Sequence, residues 1–161
     1  MNELLDTRAF RNALGSFATG VTVITARGAD GTLAGLTINS FASVSLDPPL
    51  VLWSLSLYSP TLAIFQNCSH YAINVLAQDQ IPLSTRFASS LADRFAGLEF
   101  TAGSAGAPLL PGCCAWFECR NEMRHAGGDH LIFVGQVERY RQEPRAPLLF
   151  QCGQYRALAE S

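Results

Sequence analysis

The sequence predicts a mainly β protein, a closed or nearly closed antiparallel barrel with peripheral helices. Three observations carry that reading. β-branched and apolar runs bounded by Gly, Pro and Asp turn signals outnumber helix-length segments. Hydrophobic residues make up 48% of the chain, charged residues only 15%, and ten Phe and two Trp supply large surfaces for a core. Finally, the run Gly35 to Leu52 sets hydroxyl and amide side chains among β-type apolar residues. A chain of 161 residues is the size of one ordinary domain and buries roughly two thirds of its unfolded surface.

Taken in order, Asp6 or Thr7 caps a first helix in which Phe10, Ala13, Leu14 and Phe17 recur at helical spacing and Gly20 marks the stop. Val21 to Ala26 is a β-branched strand, and Ala29-Asp30-Gly31-Thr32 turns it into a hairpin. The following strand reads with period two. Thr37, Asn39, Phe41, Ser43 and Ser45 share one face, which either lines a pocket or forms an edge whose hydroxyls meet water. Asp47-Pro48-Pro49 breaks the chain before the strand Leu50 to Leu55. Tyr71 to Leu76 is another strand, Gln78 to Ala88 a helix, Phe95 to Pro111 a looser Gly/Pro-rich excursion, and Ala115–Glu122 and Leu131–Tyr140 a late strand pair. No repeat, linker or low-complexity tract divides residues 1–161 into further domains.

The net charge is −2, and all eleven cationic side chains are scattered Arg residues, an arrangement that argues against nucleic acid as the main partner. Met1 to Gly15 carries charges in place of the apolar centre of a secretory signal, and no apolar run is long enough for a membrane span, so a soluble cytoplasmic protein is expected. The five cysteines lack a CxxC pair and zinc-ligand spacing. They read as small apolar core residues, with no metal site.

Two places carry candidate chemistry, and a third contributes a cation. Ser59-Pro60-Thr61 is a helix start with Ser59 as cap and Pro60 at the first helical position. Its free amides and the hydroxyls of Ser56, Ser59 and Thr61 suit a phosphate, although the same tripeptide starts many helices that bind nothing. Arg86, on the helix predicted for residues 78–88, is placed to lend a cation to that anion. Gly127-Gly128-Asp129-His130 sets a histidine at a strand mouth, either to contact a substrate or as the exposed tip of a plain hairpin. The motifs GxGxxG, GxxxxGK[ST], GxSxG and HExxH are all missing, which removes support from the usual dinucleotide, P-loop, hydrolase and zinc-protease readings. Hydride chemistry on a flavin remains open, because a flavin brings its own reactivity and asks the protein for a slot, donors and an anion site.

Phe17-Ala18-Thr19-Gly20-Val21-Thr22-Val23-Ile24-Thr25, the Thr37-x-Asn39-Ser40-Phe41-x-Ser43-x-Ser45 run with Asp47-Pro48-Pro49, Ser59-x-Thr61, Asn74-Val75-Leu76 and Gly128-Asp129-His130 together resemble the short-chain flavin reductases. These include the reductase components of two-component aromatic monooxygenases such as 4-hydroxyphenylacetate 3-monooxygenase. The resemblance runs in order from about Phe10 to about Tyr155. It implies an antiparallel Greek-key split barrel of the FMN-binding type and a homodimer. It also implies a flavin, FMN or FAD, reduced by NADH or less often NADPH and supplied to a separate flavin-dependent monooxygenase. Carried over by position, Thr37, Ile38, Asn39 and Ser40 border the isoalloxazine and ribityl chain, Ser54 and Ser56 lie along the ribityl and phosphate path, and Ser59 and Thr61 hold the phosphate. Arg86 is a further cofactor contact. His130, in a turn shaped by Gly128 and Asp129, contacts the nicotinamide. Two other readings stay open on the same barrel: an oxygenase or other enzyme with tightly bound flavin, and a non-catalytic flavin or haem carrier.

Overall fold

The computed structural model describes residues 5–159, so the first four residues of the charged N-terminal stretch and the last two of the chain lie outside it. Helix α1 (Thr7–Gly15) is capped by Asp6, whose carboxylate accepts from the amides of Arg8 and Ala9, a cap worth about 1 kcal/mol. The helix ends at Gly15, five residues before the expected stop. Its apolar residues Phe10 and Leu14 are left exposed, as is Phe17 beyond it. β1 (Thr19–Gly20) leads into β2 (Thr22–Arg27), which forms the expected hairpin with β3 (Leu33–Ile38) around Gly31, where φ is +86°. β4 (Ala42–Leu46) and β5 (Pro49–Ser56) form a second hairpin closed at Asp47-Pro48.

The single polar strand expected over residues 36–45 is therefore two strands. β3 ends at Ile38, β4 begins at Ala42, and Asn39-Ser40-Phe41 is the bend between them. That bend closes the fold. After α2 (Leu62–Asn67), β6 (His70–Val75) and α3 (Ile81–Phe87), the chain makes two short strands, β7 (Thr101–Ala102) and β8 (Pro108–Leu109). The long hairpin β9 (Ala115–Gly127) and β10 (His130–Gln142) follows. The main sheet is ordered β3-β2-β6-β9-β10-β5-β4, antiparallel throughout. Its two edge strands are consecutive in sequence and joined by three residues, a link spanning at most roughly 13 Å. A flat seven-stranded sheet separates its edges by roughly 28 Å at the usual strand spacing, so this one curls into a barrel. The Ser54 amide donates to Ser40 Oγ across the closure at 3.0 Å.

Inside the barrel Trp53, Phe65, Tyr71 and Phe133 are fully buried, with Trp53 stacked on Phe133 at 4.5 Å between centroids and edge-on to Phe65 and Tyr71. Tyr71 lies over Gly135, where an added Cβ would also come within 2.9 Å of Cys119 Cβ, so only glycine fits. A second apolar cluster joins Val23, Leu76, Phe87, Phe95 and Trp116 between the sheet and α3. Gly35 admits the Phe87 and Phe95 rings, which an added Cβ would meet at 2.5 and 2.9 Å. The C-terminal hairpin β11 (Leu149–Gln151) and β12 (Gln154–Arg156) pairs with β1. Cys113, Cys114 and Cys119 are buried and Cys68 partly so, as expected of apolar cysteines. Cys152 is exposed at the tip of the β11–β12 hairpin, because a two-residue turn has no interior in which to hide it. No helix among the described residues is long and apolar enough to cross a membrane.

Candidate active site at the barrel rim

Alternation along β5 sorts its side chains: Val51, Trp53 and Leu55 are buried in the barrel, and Ser54 and Ser56 face outward, partly exposed. Antiparallel pairing sets Ile132 against Ser54 and His130 against Ser56. The β9–β10 turn is tied to the chain leaving β5 by a bond from the Leu57 amide to the Asp129 carbonyl, 2.9 Å. Two candidate segments more than seventy positions apart in sequence thus share one rim. Gly128, at φ +67°, supplies the left-handed residue this tight turn needs.

His130 Nδ1 lies 2.7 Å from Asp129 Oδ1. The carboxylate accepts this hydrogen bond, and the bond holds its pKa below the ordinary value. It also fixes the ring so that Nε2 is left without a partner among the described residues. The histidine is about half exposed, placed for contact with a ligand rather than for packing.

Beyond Ser56, whose hydroxyl accepts from the Tyr58 amide, Ser59 Oγ and Thr61 Oγ1 stand 2.9 Å apart. Helix α2 starts two residues later than the sequence suggests, with Thr61 at its cap and no side-chain cap bond. The amide of Thr61 donates to Ser59 Oγ, and that of Leu62 to the Ser59 carbonyl. These first amides are already used, so what the segment offers an anion is its pair of hydroxyls.

Thr37 faces away from the rim, donating to the Ser84 carbonyl at 2.6 Å, while Ser84 Oγ bonds Tyr155 at 2.8 Å. Ile38 packs on the barrel core and Asn39 is exposed at the bend. Thr37, Ile38 and Asn39 line a cavity of about 200 Å³ with Ser84, Phe150 and Tyr155. No local motif singles out Ser84 or Tyr155. Arg86, expected as a free cation, donates through Nε to the Arg94 carbonyl at 2.6 Å and through Nη2 to that of Ala96. It anchors the loop after α3, because a guanidinium fork at a helix end finds the nearest bare carbonyls.

The barrel gathers its hydroxyls and one histidine on an outer rim, an arrangement that suits the flavin-using split-barrel oxidoreductases. Residues 14–159 match the family model described as flavin reductase like domain, and the chain belongs to that family. It is 47% identical to the FMN reductase (NADH) SmoA of Agrobacterium fabrum over 93% of this chain and 85% of that protein. It is 44% identical to the reductase component of the flavin-dependent trigonelline monooxygenase of Acinetobacter baylyi over 96% of this chain but only 50% of that relative. The fold matches the Streptomyces globisporus NADH:FAD oxidoreductase SgcE6, solved with NAD and FAD fragments, with a TM-score of 0.90 and 37% identity over 98% of this chain and 97% of that one.

Proposed function

We propose that this protein is an NADH-dependent flavin reductase whose flavin lies across the outer rim, the ring end toward Asn39 and Ser40 and the phosphate end at Ser59 and Thr61. One observation carries this reading: the register that sets His130 beside Ser56 at the end of the same strand face that leads to Ser59 and Thr61. The donor set fits the cofactor. Two hydroxyls within hydrogen-bonding distance of each other suit the oxygens of one phosphate, and outward serines on a strand suit a polyol chain. When bound, the flavin accepts a hydride from the nicotinamide.

The protein's part is placement. Ser54 and Ser56 orient the cofactor, the Ser40–Ser54 bond holds the ring end of the slot, and Asp129 fixes His130 with Nε2 turned outward toward the nicotinamide. No side chain has to exchange a proton, so the rate enhancement comes from proximity and orientation. A homodimer and a separate monooxygenase that receives the reduced flavin complete the proposal. The exposed Phe10, Leu14 and Phe17 of the N-terminal segment, with Val44 and Leu46 of β4, the last 96% exposed, support an apolar contact between copies.

Anaerobic stopped-flow absorbance tests the reading, with FMN or FAD and NADH or NADPH in each pairing. Rapid bleaching with NADH is expected. In a His130→Ala protein, reduction at subsaturating NADH should slow at least tenfold with flavin affinity kept. An unchanged rate would remove His130 from the nicotinamide contact.

A further inference from the structure

Strand pairing carries the rim one strand beyond β5 and β10 and brings a second histidine to it. Trp53, Phe133 and Arg124 form one row across β5, β10 and β9, and Ser54, Ile132 and His125 form the next. Residues directly opposite each other in a sheet share a face, and successive rows alternate between faces. The first of these rows is an inner one, since Trp53 and Phe133 are fully buried and stacked at 4.5 Å. The second therefore faces outward, with His125 exposed at its end. The next outward row is Ser56, His130 and Gly127. By strand spacing and rise, the Cα atoms of His125 and His130 are about 8 Å apart. Gly127 keeps the space between them open, because it has no side chain, and an added Cβ would come within 3.2 Å of Ile132 Cδ1. Two imidazoles thus flank a gap floored by Gly127 and Ile132.

Three neighbouring strands thus carry the site in order. β5 holds the outward serines assigned to the flavin, β10 presents His130 to the nicotinamide, and β9 adds His125 on the side away from the flavin. From this order we infer that His125 binds the pyrophosphate of the pyridine nucleotide, one ribose beyond the ring that His130 meets. This rests on the nicotinamide position assigned above to His130. The chemistry suits the role. An imidazole keeps an N–H to donate whether it is neutral or charged, and hydrogen bonds to an ionised phosphate are roughly twice as strong as those between neutral groups. The gap over Gly127 leaves the ribose a place between the two rings. His125 belongs to no dinucleotide motif. It lies five positions before His130 in the chain, and the two share a face only because the turn at Gly128 and Asp129 folds β9 against β10.

The test compares steady-state reduction of FMN by three donors in the unaltered protein and in His125→Ala. The donors are NADH, reduced nicotinamide mononucleotide, which keeps one phosphate, and reduced nicotinamide riboside, which has none. His125→Ala is expected to raise KM about tenfold for NADH and for the mononucleotide, the loss of one hydrogen bond to a charged group, with kcat within twofold. KM for the riboside and the denaturation midpoint should not move, because the side chain is exposed and the riboside offers it no phosphate. An unchanged KM for NADH in His125→Ala would overturn the assignment. An equal rise for the riboside would overturn it too, since His125 would then act on the ring or merely hold the hairpin. Failure of the underlying nicotinamide position would show separately, as an unchanged rate in His130→Ala at subsaturating NADH, and would overturn this assignment with it.

Discussion

The two faces of β5 are built for different ends. Inward, Val51, Trp53 and Leu55 are sealed in an aromatic core; outward, Ser54 and Ser56 sit part-exposed beside Ser40 and His130. The contrast extends to hydrogen bonding. Trp53 Nε1 and Tyr71 OH are buried with no partner among the described residues, whereas the hydroxyls of Ser40, Ser56, Ser59 and Thr61 are each engaged with a neighbour. The core holds shape through packing even where a polar atom goes unmatched, and the rim holds direction through short polar bonds. Stability and ligand binding should therefore respond to different substitutions on one strand.

The largest effect is expected from Trp53→Ala. Removing an indole stacked on Phe133 and edged by Phe65 and Tyr71 should cost about 3–5 kcal/mol of unfolding free energy, measured by denaturant titration. The fraction that remains folded should still bind flavin. A mild loss of stability would mean that the barrel interior is not the source of the fold's rigidity. Thr61→Ala provides the opposite case. Loss of a hydroxyl that meets a charged phosphate should weaken FMN by about tenfold, or roughly 1.4 kcal/mol. Riboflavin affinity and the denaturation midpoint should move little. Equal losses for FMN and riboflavin would count against the phosphate position.

How much of this was legible in the sequence follows the same division. Strand identities and the hairpin turns could be read because β-branched runs and Gly or Pro breaks are local signals. The bend at Asn39-Ser40-Phe41 was not, because the period-two pattern continues through it while the backbone leaves one sheet edge for the other. Ser59, Thr61 and His130 stood out as single motifs, but only the register of β5 with β10 brings them to one rim. The engagement of Arg86 depends on where the carbonyls of Arg94 and Ala96 come to lie, and the Ser84–Tyr155 bond joins residues 71 positions apart. No local pattern encodes either contact.

A smaller effect of opposite sign is expected inside the core. Burial pushes the acidity of the Tyr71 hydroxyl far out of the physiological range, so this group stays neutral, and it is buried with no hydrogen-bond partner at bonding distance among the described residues. Tyr71→Phe removes that unmet donor while keeping the ring contacts with Trp53 and Phe133. The protein should be unchanged or stabilised by about 1 kcal/mol, since an unsatisfied buried polar group costs about that much or more. A clear destabilisation on denaturant titration would show that the hydroxyl does have a partner.

The smallest effect belongs to the rim. Asp129 is fully exposed, and its carboxyl is held below the ordinary 3.8 chiefly by the hydrogen bond with His130, with the charge of that ring second. A carboxyl whose pKa is lowered by folding contributes its stabilisation above the unfolded value and loses it as the pH falls through the lower folded one. The Asp129–His130 contact should therefore be complete at neutral pH and come apart only in the acid range below 3.8. Carboxyl carbon shifts followed by NMR across that range should give Asp129 a midpoint below 3.8 in the unaltered protein, returning to the ordinary value in His130→Ala. If the midpoint stays low without the imidazole, the turn itself holds the carboxylate. His130 would then be oriented by its place in the strand rather than by its neighbour, and Asp129→Asn should leave NADH-dependent reduction unchanged.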